Sequence, residues 1–131
     1  MKKIYIHLFI FCKDKVLVQK NPSLGLPFLE REQGHSLAEV RNNILKNLDP
    51  ELYKKTKVES LFFNGHNRQE DGEPAIDFFY RGYVDAIPLP KHLAYVEIQK
   101  LSHHLQDTTP HLSRALLQAC AELKYNAAIE T

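Results

Sequence analysis

The residues best suited to chemistry lie in one stretch, residues 25–48, which reads GLPFLEREQGHSLAEVRNNILKNL. It places three carboxylates and one imidazole close together, on Glu30, Glu32, Glu39 and His35. Mg²⁺ and Mn²⁺ prefer carboxylate oxygens, and imidazole titrates near neutral pH, so it can act as a ligand or a base. Two interpretations follow. Either two of the acids hold a metal together with His35, or Glu39 completes a helix cap while Glu30 and Glu32 are solvated loop charges.

The order of residues in this stretch resembles the loop–helix signature of Nudix hydrolases. Leu26 and Pro27 are followed by Glu32-x-Gly34, by Ser36 and then by an amphipathic helix. The resemblance implies an α/β fold, a Nudix-type α/β/α sandwich with a mixed β-sheet, formed by residues 1–131 as a single domain. It also implies a reaction in which water attacks a diphosphate linked to another group, with Mg²⁺ or Mn²⁺ as cofactor.

The signature's metal-binding residues are replaced in this chain. When the signature is laid on the sequence without gaps, its Gly falls on Leu29 and its first Glu on His35. Its Arg and second Glu fall on Asn43 and Ile44. Its aliphatic residue falls on Leu45, and its final Glu-Glu pair falls on Asn47 and Leu48. Only the aliphatic position, Leu45, agrees. Between Val40 and Asp49 there is no acidic residue, so no shift of register supplies the carboxylates. We therefore expect no metal site on this helix.

A second group of candidates lies on the segment IDFFYRGYV, residues 76–84. Asp77 begins this predicted strand, and the resemblance allows a further acid from outside the signature to act in catalysis. Phe78 and Tyr80 are expected to contact a ligand by stacking, which tolerates any base. An aromatic strand is also typical of a protein core, and an acid such as Asp77 is also typical of a solvated loop.

Composition excludes several classes of function. Seventeen basic and sixteen acidic residues give a net charge of +1 without long runs of one sign, so neither nucleic acid nor an anionic membrane is favoured as a partner. Cys12 and Cys120 lie far apart and are predicted to be buried thiols in the reducing cytoplasm. The apolar residues 4–11 are followed by Lys13, Asp14 and Lys15, which argues against a signal peptide.

Hydrophobic periodicity predicts the elements that position these residues. A hairpin is expected over residues 4–11 and 16–19, strands over 58–64, 76–84 and 94–99, and a mobile polar loop over 66–74. Ser36 and Glu39 form a capping-box pattern for a helix ending near Asp49. A short helical turn is expected over residues 100–105. Thr109 and Pro110 begin a last helix, whose buried stripe is predicted to comprise Leu112, Leu116, Ala119 and Leu123.

Together these observations predict a Nudix-fold protein without the signature's catalytic residues. It would be a binding or regulatory module for a nucleotide-like or phosphorylated small molecule, with His35, Phe78 and Tyr80 as ligand-binding residues and no cofactor. One alternative is a hydrolase of nucleoside diphosphate derivatives that uses Mg²⁺ or Mn²⁺ and displaced carboxylates from Glu32, Glu39 or Asp77. A protein-interaction scaffold, for instance a homodimer, is the other alternative.

Overall fold

The computed structural model describes residues 3–20, 24–58 and 63–130. Three strands, two helices, four strands and two helices follow one another along the described chain, in the predicted general order. The elements are β1 (Lys3–Cys12), β2 (Lys15–Gln19), β3 (Phe28–Glu30), α1 (Leu37–Leu48), α2 (Pro50–Lys55), β4 (Lys57–Val58), β5 (Phe63–Glu70), β6 (Glu73–Tyr83), β7 (Leu93–Glu97), α3 (Ile98–Thr108) and α4 (Pro110–Glu130).

The strands form one mixed sheet around a central parallel pair. β1 runs parallel to β6 from Lys3 opposite Ala75 to Phe11 opposite Tyr83. The order along the sheet is β4-β6-β1-β2-β7, with β3 antiparallel to β1 and β5 antiparallel to β6. β1 and β2 form the predicted hairpin. The mixed sheet of the sequence prediction is confirmed.

Alternate residues of β1 face opposite sides of the sheet, and each side is covered by helices. Ile6, Leu8 and Ile10 pack in one buried cluster with the apolar face of α1. Phe9 and Phe11 pack in the other cluster, against α3 and α4. Because β1 is covered on both sides, its sequence is apolar almost throughout, as expected for a central strand. The α/β/α sandwich is thereby established.

Helix α1 begins and ends where its sequence predicts. The Ser36 hydroxyl accepts a hydrogen bond from the backbone N–H of Glu39 at 3.1 Å, and Ser36 has extended backbone angles. Its buried residues are Val40, Ile44, Leu45 and Leu48. Asp49 ends the helix through its own N–H, which donates to the carbonyl of Leu45, while its carboxylate accepts from the N–H of Leu52 and caps α2.

The prediction of a loop over residues 66–74 is wrong. These residues form the end of β5, a two-residue turn and the start of β6, with Glu70 paired opposite Glu73. Asp71 and Gly72 both have positive φ, 51° and 80°, as the tight turns of twisted hairpins require. The polar side chains suggested a loop, but an antiparallel strand tolerates a polar face.

Other boundaries differ more modestly from the predictions. The sequence predicted neither β3 nor α2, and α3 is a full helix rather than a short turn. The predicted strand over residues 58–64 is described only in part, because residues 59–62 lie outside the described residues. In α4, Leu116 and Ala119 are buried and Leu112 packs beside them, while the side chain of Leu123 lies outside the described residues.

Cys12 is buried and Cys120 half-buried. No helix in the described part of the chain is long and apolar enough to cross a membrane.

Replacing Ser36 by Ala should lower the free energy of unfolding by roughly 1 kcal/mol, because the N–H of Glu39 loses its acceptor. Urea denaturation measures the effect. Ser36→Asp is the matched control, since aspartate keeps a side-chain acceptor at the cap and should leave the midpoint near that of the native chain. Equal midpoints for Ser36→Ala and the native chain would show that the cap contributes nothing.

Candidate functional site

A cleft of about 340 Å³ lies where the loop before α1 meets the helix. Its walls combine two carboxylates, an imidazole and two amides with two aliphatic side chains. The lining residues are Leu29, Glu30, Glu32, His35, Val40, Asn43 and Asn47. The structure thus brings Glu32 and His35, two of the predicted site residues, into one cleft.

Of the three helix positions that the ungapped signature assigns to carboxylates, 44, 47 and 48, only Asn47 lines this cleft. Asn43 and Asn47 are exposed and lie one turn apart along the cleft wall. Ile44 and Leu48 are only 3% and 4% exposed and belong to the core under α1. A carboxylate at position 44 or 48 would be buried without a partner, at a heavy cost in stability.

The part of the cleft wall formed by α1 offers no carboxylate to the cation that the Nudix resemblance implies. Oε2 of Glu39 lies 3.1 Å from Nδ1 of His35. In a capping box this carboxylate would instead accept from the N–H of Ser36. Within the described part of the chain, no three His, Cys, Asp or Glu side chains are grouped as metal ligands. Asn43 and Asn47 supply neutral amides at the positions that open to the cleft.

A buried ionic network lies on the opposite side of the sheet, centred on Asp77. This carboxylate is fully buried, and its Oδ1 lies 2.8 Å from Nε2 of His7. Arg68 donates to it through Nε at 2.7 Å and through Nη2 at 3.2 Å, which is a bidentate pair. Nε2 of His111, at the start of α4, lies 3.6 Å from Oδ2. Three basic side chains from β1, β5 and α4 therefore meet one acid.

The charge of Asp77 is determined by two opposing effects. Burial disfavours the charged carboxylate, but hydrogen bonds from His7 and Arg68 and their positive charge outweigh burial and lower the pKa of Asp77 to about 2. The ionised carboxylate can only accept hydrogen bonds, so Nε2 of His7 carries the shared hydrogen. Asp77 is therefore an anchor for two basic groups and has no free oxygen to offer a metal ion or a substrate proton.

The network continues to the surface through Tyr5 and Glu70. The Tyr5 hydroxyl donates to Oε2 of Glu70, and this hydrogen bond, followed by burial, raises the pKa of Tyr5 to about 12. The Arg68 guanidinium lies 5.1 Å from the centre of the Tyr5 ring, within the range of a cation–π interaction. Tyr5 thus remains a neutral hydrogen-bond donor at physiological pH.

The His7 ring is held between two aromatic rings. It stacks on Phe79 with centroids 4.9 Å apart and on Phe28 at 5.5 Å. Phe28 is 53% exposed. His7 itself is only 5% exposed, and its Nδ1 is buried without a hydrogen-bond partner. An exposed aromatic ring and an unsatisfied buried nitrogen therefore lie side by side.

Comparison with solved structures identifies the architecture. A NUDIX hydrolase from Nitrosomonas europaea superposes with a TM-score of 0.66 over 98% of this chain and 90% of its own, at 18% identity. Ap4A hydrolase from C. elegans, in a binary complex, gives 0.64 over 94% and 97% at 11% identity. The MutT protein of methicillin-resistant Staphylococcus aureus 252 gives 0.64 over 93% and 99% at 13% identity. The chain has the Nudix fold. No protein-family model and no curated protein matches its sequence.

Within this Nudix fold the predicted site residues are divided between the two sides of the sheet. Phe78 and Tyr80 face α1, where Tyr80 is buried in the core and the Arg41 guanidinium lies 5.0 Å from its ring centre. Neither lines the cleft at α1. Asp77 faces α4 and is not a solvated loop residue. Sequence reasoning did not find Arg68 or His7, although a histidine inside an apolar strand was the one available signal.

Asp77→Asn should remove an acid-dependent part of the stability. The pKa of Asp77 is 3.8 in ordinary surroundings and about 2 when folded, so the native chain gains about 2 kcal/mol from this group above pH 4. That gain is lost as the pH falls from about 4 through 2, because the unfolded chain binds the proton first. Urea denaturation as a function of pH should show the loss in the native chain and a flatter profile in Asp77→Asn.

Glu73→Gln is the matched control, since Glu73 begins the same strand but is exposed and only 4.0 Å from Lys3. It should keep the acid profile of the native chain. An Asp77→Asn variant with an undiminished loss of stability between pH 4 and 2 would show that another carboxylate is responsible.

Proposed function

We propose that this chain is a binding or regulatory module for a nucleotide-like small molecule and does not hydrolyse it. The observation that carries the proposal is the aromatic stack of Phe28, His7 and Phe79 beside the Asp77 network, in which the Phe28 ring is half open to solvent and the other two rings are buried. Stacking on an exposed ring is a sequence-tolerant way to hold a base. The Phe28 ring offers such a surface.

Polar groups beside the stack provide hydrogen bonds to the edge of a base or to a ribose. An unpaired buried nitrogen destabilises the folded chain, and a ligand atom or water that reaches Nδ1 of His7 removes that cost. Arg68 supplies donors and Glu70 supplies acceptors at the half-buried rim. Because Asp77 fixes Arg68 and His7, these groups are positioned before a ligand arrives, which limits the entropy lost on binding.

The absence of hydrolysis is supported by the register of α1. Hydrolysis of a diphosphate with Mg²⁺ needs oxygen anions that hold the cation and polarise the phosphate. The helix turns Asn43 and Asn47 towards the cleft and buries Ile44 and Leu48. This helix therefore provides no cation site that would cleave the phosphates of a nucleotide stacked on Phe28.

The alternative, a divalent-metal-dependent hydrolase of nucleoside diphosphate derivatives, has one observation in its favour. Glu30 and Glu32 line the same cleft and are both exposed. Against it, Glu39 contacts His35 and Asp77 is bound to Arg68 and His7 on the other side of the sheet. The displaced carboxylates that this alternative requires are thus dispersed.

Calorimetric titration with nucleoside mono- and diphosphates should detect binding that weakens by about fivefold or more in Phe28→Ala, because a stacking surface is lost. Tyr53→Ala is the matched control, since Tyr53 is an exposed aromatic side chain on α2, away from the stack. Phosphorus NMR of the same nucleotides with Mg²⁺ or Mn²⁺ should show no product. Phosphate release that depends on Glu30 and Glu32 would instead establish the hydrolase.

Asn43→Glu combined with Asn47→Glu should create Mn²⁺ binding at millimolar concentration or below. Both positions are exposed and one turn apart, so two new carboxylates would join Glu30 and Glu32 at the cleft without entering the core. Paramagnetic broadening of backbone amide signals reports the binding.

Ala38→Glu combined with Asn42→Glu is the control, because these two residues have the same spacing on α1 but do not line the cleft. It should leave Mn²⁺ binding as weak as in the native chain. If the native chain already bound Mn²⁺ as tightly as the Asn43 and Asn47 variant, the claim that this helix lacks a metal site would be refuted.

A further inference from the structure

A second cleft, of about 430 Å³, opens at the other end of the central strand pair. It shares no lining residue with the cleft at α1. Its walls combine three lysines with one acid, a cysteine and several apolar or aromatic side chains. The lining residues are Phe11, Cys12, Lys13, Lys55, Lys57, Tyr83, Val84, Asp85 and Ala86.

The parallel pairing of β1 and β6 accounts for the position of this cleft. Both strands end here, and the N–H of Val84 donates to the carbonyl of Phe11 at 3.0 Å across the last pair. In α/β sheets, the space beyond the carboxyl ends of neighbouring parallel strands is a recurrent ligand-binding position. The cleft therefore lies where the fold leaves room for a ligand.

Strand β4 forms a further wall because Gly82 lets it approach closely. A Cβ atom added at Gly82 would lie 3.0 Å from the carbonyl oxygen of Lys57 and 3.0 Å from Cγ2 of Thr56. Lys57 pairs with Tyr83 in this arrangement, so its side chain is held at the edge of the cleft. The lack of a side chain at Gly82 thus allows β4 to approach β6 and places Lys57 at the edge of the cleft.

The three lysines come from three different elements. Lys13 lies in the turn after β1, Lys55 at the end of α2 and Lys57 on β4, and all three are exposed. Lys55 lies 3.7 Å from Glu51 in a pair whose side chains are more than half exposed, which leaves its charge mostly uncompensated. Asp85 is the acid among the lining residues, so the cleft has an excess of positive charge.

The backbone of Lys13 provides an independent observation. Its φ is +58°, in the left-handed region that favours Gly and Asn and disfavours lysine. The turn after β5 meets a similar requirement with Asp71 and Gly72, residues suited to it. A lysine in this conformation lowers stability, and unfavourable conformations of this kind cluster at binding sites.

We propose that this cleft binds the phosphate group of a phosphorylated small molecule that also has an apolar body. The three ammonium groups favour a phosphate dianion, and charge-assisted hydrogen bonds are the strong ones. The half-buried Tyr83, which lies beside the buried Phe11 and Val84, provides the apolar surface on which the rest of the molecule packs. The site is separate from the Phe28 surface and does not depend on the nucleotide-binding proposal.

Phenyl phosphate, inorganic phosphate and phenol are the probes for this cleft, titrated into the full chain and followed by backbone amide NMR. Phenyl phosphate should shift the signals around Lys13, Lys57 and Val84 and bind about fivefold more tightly than inorganic phosphate, because the ring adds apolar burial. Phenol alone should not bind at millimolar concentration. Phosphate-induced shifts confined to residues outside the lining set would overturn the proposal.

Variants with opposite expected effects sharpen the test. Lys57→Ala and Lys13→Gly should each weaken phenyl phosphate binding by about fivefold, while Asp85→Asn should strengthen it, because a repulsive charge is removed. Lys13→Gly should also raise the melting temperature, since glycine adopts the positive φ without strain. A purely structural role for Lys13 would not give higher stability together with weaker binding.

Lys20→Ala is the control, because this exposed lysine follows the other end of β2 and does not line the cleft. It removes the same charge and should leave phosphate affinity unchanged. If Lys20→Ala weakened binding as much as Lys57→Ala, the phosphate would be responding to net charge alone, and the proposed site would be refuted. Unchanged affinity in both Lys13→Gly and Lys57→Ala would refute it equally.

Discussion

The parallel pairing of β1 with β6 fixes the positions of the Asp77 network and of the cleft lined by Lys13, Lys55 and Lys57. Its register places Tyr5 opposite Asp77 and His7 opposite Phe79, so the imidazole stacks on its cross-strand neighbour and reaches the adjacent carboxylate. The same pairing ends at Phe11 and Tyr83, and the cleft lined by Lys13, Lys55 and Lys57 lies beyond that end. A shift of β6 by one residue would turn its side chains to the other face of the sheet and separate Asp77 from His7.

Local signals in the sequence were sufficient for the elements that depend on nearby residues. Ser36 defined the start of α1, and Pro110 the start of α4, because capping is decided within one helical turn. The hairpin over residues 66–74 was missed because its polar side chains were given more importance than the Asp71-Gly72 turn, which fixes the backbone. β3 is only three residues long, and its pairing with β1 could not be found from so short a pattern.

The candidate site was less predictable, because it combines residues from distant parts of the chain. Glu32 and His35 are neighbours in sequence and were found together. His7 and Asp77 are seventy residues apart, and their contact requires the strand register. The position of Ile44 and Leu48 in the core also depends on how α1 is rotated against the sheet, which an ungapped comparison of residue order does not contain.

The buried network around Asp77 is expensive to form, because each charge must leave water before the contacts compensate it. In proteins generally, apolar side chains of similar volume often stabilise a core at least as well as buried ion pairs do. The network also connects β1, β5, β6 and α4, since His7, Arg68 and His111 come from three of these elements and all approach Asp77 on β6. Because Asp77 holds the His7 ring in place, His7 gives Phe28 a fixed ring to stack on while Phe28 stays open to solvent.

The position of Asp49 between α1 and α2 has a consequence for the motions of the chain. One residue ends the first helix through its backbone and begins the second through its carboxylate, and Pro50 follows at once in the new helix. Fraying at this junction therefore exposes carbonyls of α1 and N–H groups of α2 together. The two helices should therefore open to hydrogen exchange as one cooperative unit. The α1 wall of the first cleft and Lys55 of the second cleft would then open in the same local unfolding event.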